Sequence, residues 1–200
     1  MLNIPNIQQA MSVFVAEELS EVLNTKVVIG RINMGLLNRI IIDDVLLDDQ
    51  SGQEMLKVTR LSAKFDIMPF FKGKISISSV QLFGFNINLR KETPDSPPNF
   101  KFVLDAFASK DTVKKENSLD LRINSILIRR GRMSYHVLSE EETPGKFNAK
   151  HIQLQNIIAN ISLKALSKDS LNLGIKRLSL DEKASGFSLK KMSLKLVANN

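Results

Sequence analysis

The rhythm of apolar and polar residues changes near residue 25. Before it, Ile7, Met11, Phe14, Val15, Val22 and Leu23 recur at near-helical spacing, with Glu17, Glu18 and Glu21 between them. Pro5 suits a first helical turn, where its missing N–H costs nothing, and Asn24 can close the helix in a left-handed conformation. The pattern predicts an N-terminal helix over 1–24. Either that helix packs on a following sheet or it touches a membrane; the glutamates argue against insertion among anionic headgroups.

From Lys26 onward the period is two, most cleanly at Leu61-Ser62-Ala63-Lys64-Phe65-Asp66-Ile67. A longer template then repeats: apolar, any, apolar, two polar or small residues, apolar, any, apolar. It occurs at Val27/Ile29/Ile32/Met34, Ile40/Ile42/Val45/Leu47, Leu56/Val58/Leu61/Ala63 and Ile75/Ile77/Val80/Leu82. It returns at Leu121/Ile123/Ile126/Ile128, Ile152/Leu154/Ile157/Ala159, Leu173/Ile175/Leu178/Leu180 and Phe187/Leu189/Met192/Leu194. Roughly two copies would arise by chance at this composition, so the repetition carries structure. Inward parity slips by one residue midway through each copy, as it does where an extra residue makes a β-bulge or where a strand turns a corner. Short strands joined by tight turns in a sandwich would also produce such pairs, but Gly and Pro are nearly absent from them.

The fold class expected is therefore mainly β: an N-terminal α-helix, then an elongated, curved, repeat-like β-sheet forming a groove or gutter over 25–200. Loops are expected at 91–98, which is rich in proline, at the polar stretch 110–118 and at 139–146. One short helix is expected near 99–108, with Asn99 as its N-cap and Phe100, Val103, Leu104 and Phe107 along it. Basic residues belong on the outer surface or rims. Leu61, Phe65, Ile75, Ile77, Val80, Leu82, Ile126, Ile128, Leu178 and Leu180 are the candidates to line the interior of the groove.

Composition narrows the chemistry. With 43% hydrophobic and 24% charged residues the chain is an ordinary folding sequence of 200 residues, and no apolar run is long enough for a transmembrane helix. There is no cysteine, so disulfides, thiol nucleophiles and Cys-ligated metals are excluded. His136 and His151 are the only histidines and leave little material for acid–base or metal chemistry, and His136, in an alternating strand, reads as structural. The carboxylates Asp43, Asp44, Asp48 and Asp49 lack the loop geometry of a calcium site, and no nucleophile elbow or phosphate-binding glycine loop is present. Neither an enzymatic activity nor a metal or cofactor is expected. The net charge of +7 would attract nucleic acid, anionic lipid or an acidic protein. Stacking aromatics are scarce, with one Tyr and no Trp, which argues against nucleic acid.

The segment from Val27-Val28-Ile29-Gly30-Arg31-Ile32 through Asn38-Arg39-Ile40-Ile41-Ile42-Asp43-Asp44-Val45 to Asp48-Asp49-Gln50-Ser51-Gly52 resembles the opening of the AsmA-like superfamily, in particular TamB proteins of the Bacteroidetes type. A helix ending in an LGT-like turn (here Leu23-Asn24-Thr25) precedes it, and Gly73-Lys74-Ile75-Ser76-Ile77, Phe83-Gly84-Phe85-Asn86-Ile87 and Asn99-Phe100-Lys101-Phe102 continue the likeness. The resemblance covers nearly the first 110 residues by motif and the remainder by repeated β-pattern. It implies a periplasmic segment of a cell-envelope protein anchored in the inner membrane, beginning just after the anchor helix and far shorter than a full member. It further implies a part in the translocation and assembly module, with an outer-membrane Omp85-family barrel as partner and phospholipid moving along an apolar groove. Lipid transport is the leading expectation. A scaffold or chaperone-like surface for outer-membrane protein assembly is the alternative.

Overall fold

The computed structural model describes residues 4–35, 38–65, 77–108, 124–166 and 170–199. Helix α1 (Ile4–Leu23) leads into strands β1 (Val27–Gly35), β2 (Arg39–Asp48), β3 (Glu54–Phe65) and β4 (Ile77–Lys91). Helix α2 (Lys101–Ala108) follows, then β5 (Ser125–Val137), β6 (His151–Leu166), β7 (Ser170–Glu182) and β8 (Ser188–Asn199). The strands form one 8-stranded sheet in sequence order, β1 and β8 at its edges. All neighbours are antiparallel except β4 and β5, which run parallel. Because parallel neighbours need a crossover, the chain between them carries α2 rather than a hairpin. The expected mainly β class with an N-terminal helix and one short inserted helix is the observed one.

Helix α1 ends as its sequence suggests. Asn24 has φ 48°, and the amides of Asn24 and Thr25 bond back to the Glu21 and Ser20 carbonyls. Its inward stripe, however, is Ser12, Val15, Ala16, Leu19 and Leu23, while Phe14 is 62% exposed. Buried Ser12 tolerates that position because its hydroxyl donates to the Gln9 carbonyl. Helix α2 departs from expectation at its start. Asn99 is not its cap: the Asn99 side chain accepts from the Arg90 amide and donates to Asp49 and to the Asn88 carbonyl, tying the helix approach to β4. The loop at 91–98 begins one residue later than expected, since Lys91 still belongs to β4. A turn-rich segment occupies 139–146, and 110–118 lies outside the described residues.

The parity slip is a shared corner over most of the sheet. Ile29 pairs with Val45 and Arg31 with Asp43; Val58 pairs with Phe85 and Arg60 with Phe83. Register is the same on both sides of each slip, so both partners step out of the ladder at one level and neither contains an extra residue. The left-handed residues mark this line across the sheet: Asp44 (φ 56°), Gly84 (φ 64°), Arg130 (φ 54°) and Asn156 (φ 54°). True register shifts, with unequal spacing on the two strands, occur between Ile128 and Gly131 and between Gln155 and Ile158, and also near strand ends at Leu47/Asp48 and Lys64/Phe65. Of the two expected origins, the copies in β1, β2 and β3 show the corner, which preserves hydrogen-bond register, while the slip at Ser78-Ser79 in β4 coincides with a register shift opposite Lys64 and Phe65.

Candidate functional site

The corners decide where the repeated apolar residues go. Directly opposed residues in a sheet share a face. One row runs through every strand, Ile32–Ile42–Leu61–Leu82–Ile128–Ala159–Leu178–Met192. A second runs parallel to it, Met34–Ile40–Ala63–Val80–Ile126–Ile161–Ile175–Leu194. Beyond the corner, Val27, Leu47, Leu56, Ile87, Met133 and Leu154 make another row over six strands. Packing shows that the rows on both sides of the corner face the same way. Val58, Phe85 and Ile157 form a cluster against which Leu61, Leu82, Ile128 and Leu180 pack from one side of the corner, and Leu56, Ile87, Met133 and Leu154 from the other.

The two helices cover only one end of this face. Val15, Ala16 and Leu19 of α1 and Phe102, Val103 and Ala106 of α2 pack on a cluster built from β1, β2 and β3. The Val58–Phe85–Ile157 cluster is surrounded by strand residues, with no described helix on it. The edge rows end in Met34, 65% exposed, and Leu194, 47% exposed.

Of the candidate lining residues, Leu61, Leu82, Ile128 and Leu180 surround the central cluster, and Val80, Ile126 and Leu178 extend the rows as half-buried positions. Phe65 and Ile77 are paired in the β3–β4 ladder, and only their backbones are described. Ile75 lies outside the described residues. Phe187, the first apolar position of the last template copy, is corrected: it precedes β8 in the turn after Gly186 (φ 74°) and is 57% exposed.

The opposite face is polar and basic. Arg129, Arg130 and Arg177 line a depression of about 550 Å3 with Phe83, Leu127 and Ile158. The Arg130 guanidinium lies 5.1 Å above the Phe83 ring, a cation–π contact. Arg60 and Asp43 pair at 2.6 Å on the adjoining strands. Two buried carboxylates brace the ends of strands. Burial alone would raise the Asp49 pKa, but hydrogen bonds from Ser51, Asn99 and Gln53 hold it below the usual carboxylate range, and Arg90 pairs with it at 2.7 Å. Burial acts the same way on Glu182, yet donors from Ser185, Ala184 and Gln153 bring it down to about 2. Both carboxylates organise turns, Asp49 before β3 and Glu182 between β7 and β8.

Sequence reading missed the clustering of both histidines. Register places His136 opposite His151 on β5 and β6, with their Nδ1 atoms 3.0 Å apart. Their separation in the chain hides this, because a connecting loop of uncertain shape stands between them. Compared with protein-family models and with curated proteins, the chain matches none.

Proposed function

We propose that this chain is a non-enzymatic, lipid-handling segment of a TamB/AsmA-like envelope protein, which holds phospholipid acyl chains against the apolar face of its sheet. The observation that carries the reading is the pair of aliphatic rows that cross all the strands, covered, among the described residues, by helices at one end only. Each buried CH2 of an acyl chain contributes about 0.8 kcal/mol, so a continuous aliphatic track gives a hydrocarbon tail a large favourable contact without any polar recognition. Headgroups would remain in water beside it. In the full-length protein such a track would lie in the periplasm between an inner-membrane anchor and an outer-membrane Omp85-family barrel.

Uptake of a fluorescent phospholipid by purified chain, together with organic extraction of co-purified lipid, tests this. Val80→Glu places a carboxylate in the second row, at a cost of at least 1.4 kcal/mol, or about tenfold weaker uptake. A chain that carries no phospholipid and takes none up, or a Val80→Glu variant that is folded and binds as the parent does, contradicts the reading.

One observation favours the scaffold alternative. Strand β8 (Ser188–Asn199) forms a sheet edge along which Leu196 and Val197 are exposed, a surface suited to adding a client strand. Proline substitutions at outward-facing amides of β8 would abolish client pairing while leaving lipid uptake unchanged.

A further inference from the structure

His136 and His151 end adjacent strands, and the loop between them folds back so that Glu142 joins them. The Glu142 Oε1 atom is 3.8 Å from His136 Nδ1, and ligand atoms of all three residues lie within 4.8 Å of one another. The loop is held in this position. Gly145 (φ 76°) follows Pro144 in a turn closed by the Lys146 amide on the Thr143 carbonyl. Lys150 pairs with Glu140 at 2.7 Å, Asn148 donates to the Glu141 carbonyl, and Asn148 Oδ1 accepts from the Lys150 amide.

The tautomer of His151 follows from its outer contact. Its Nε2 lies 2.9 Å from the Glu140 carbonyl, an acceptor, so Nε2 carries the proton and neutral His151 presents a bare lone pair at Nδ1. That lone pair faces His136 Nδ1, so something electropositive must lie between the two nitrogens: the His136 proton or a cation. Two nitrogens bound to one tetrahedral zinc at about 2.05 Å stand roughly 3.3 Å apart, close to the 3.0 Å observed. The Glu140 carbonyl is the kind of outer partner that orients a ligating imidazole. Glu142, whose side chain is 63% exposed, already holds an oxygen 3.8 Å from His136 Nδ1 and is free of surrounding packing on its outer side. A depression of about 200 Å3 bordered by Glu142, Asn148, His151 and Lys183 opens beside the cluster and leaves room for water as a fourth ligand.

We propose that His136 Nδ1, His151 Nδ1 and the Glu142 carboxylate form a binding site for a divalent transition ion of the zinc class. On binding, the proton on His136 Nδ1 moves by exchange with solvent to its Nε2, so that both imidazoles stay neutral and offer Nδ1 lone pairs, and the ion clamps the β5–β6 loop onto the ends of its strands. Imidazole with carboxylate suits zinc and its neighbours rather than magnesium or calcium. The site lies at the end of the sheet and is independent of lipid handling.

The full chain, stripped of metal, is titrated with ZnCl2 by calorimetry, and with CoCl2 while visible absorption is recorded. One saturable equivalent is expected, with an intense Co(II) ligand-field band and displacement of both imidazole NMR signals, which are easily assigned because the chain has only 2 histidines. Glu142→Gln, on the exposed loop, should weaken zinc by at least about tenfold, and His136→Gln should remove the band; circular dichroism verifies that both fold. Absence of saturable binding would leave an ordinary imidazole–imidazole hydrogen bond and overturn the proposal. Zinc affinity unchanged in both variants would place the ion elsewhere and overturn it equally.

Discussion

Gly131 shows how little space the apolar face leaves between its strands. A Cβ there would stand 2.4 Å from the Phe85 ring and 3.0 Å from the Ile157 Cβ, so Gly131→Ala must displace two members of the central cluster. Overpacking of this kind costs about 1–3 kcal/mol, and a urea unfolding curve of the variant should show it. Glu182 is a second fixed point, 3% exposed and surrounded by donors. Its folded pKa of about 2 lies below the ordinary 4.5, so its contribution to stability is full above pH 4.5 and fades as pH falls toward 2. The difference in melting temperature between parent and Glu182→Gln should therefore be constant near neutrality and shrink in acid. A difference that grew on acidification would show that the carboxylate is not the stabilising form.

The corner that crosses the strands is turned with a left-handed residue in four of them: Asp44, Gly84, Arg130 and Asn156. Gly, Asn and Asp accept that conformation readily, whereas arginine loses about 1 kcal/mol in it. The neighbouring glycine in β5 is committed to making room for Phe85. Arg130→Gly should thus leave the protein as stable or more stable by up to about 1 kcal/mol, provided that the contact with Phe83 contributes less than the strain it removes. A loss above that in thermal unfolding would mean the cation–π contact dominates. Part of this architecture was legible in the residues, because the spacing Ile29/Ile32 or Val58/Leu61 makes sense only if parity slips, whereas the corner at Gly84 falls outside the repeated template. Whether the slip was a one-sided bulge or a matched corner was not legible, since that depends on which residue faces which across the ladder. Asn99 misled for a related reason: its side chain serves β4 and Asp49, contacts distant in sequence, instead of the helix that follows it. Apolar spacing alone did not give the inward stripe of α1, because Ser12 satisfies its own hydroxyl and is buried while Phe14 lies outside.

Taken together, the sheet has one aliphatic face and one basic face, with helices over the β1–β3 end of the former. On the proposed reading, that sidedness would make the repetitive β-pattern a lipid track, and it makes a strong demand on any bound acyl chain. The most direct measurement attaches a photoreactive group at Ile126 or Leu178 on the aliphatic rows, and at Leu127 or Arg177 on the other face. Each labelled chain is then irradiated with phospholipid vesicles. Crosslinks to lipid from Ile126 and Leu178, with few or none from Leu127 and Arg177, are the expected result. Equal labelling of the two faces, or labelling confined to the basic one, would contradict the account.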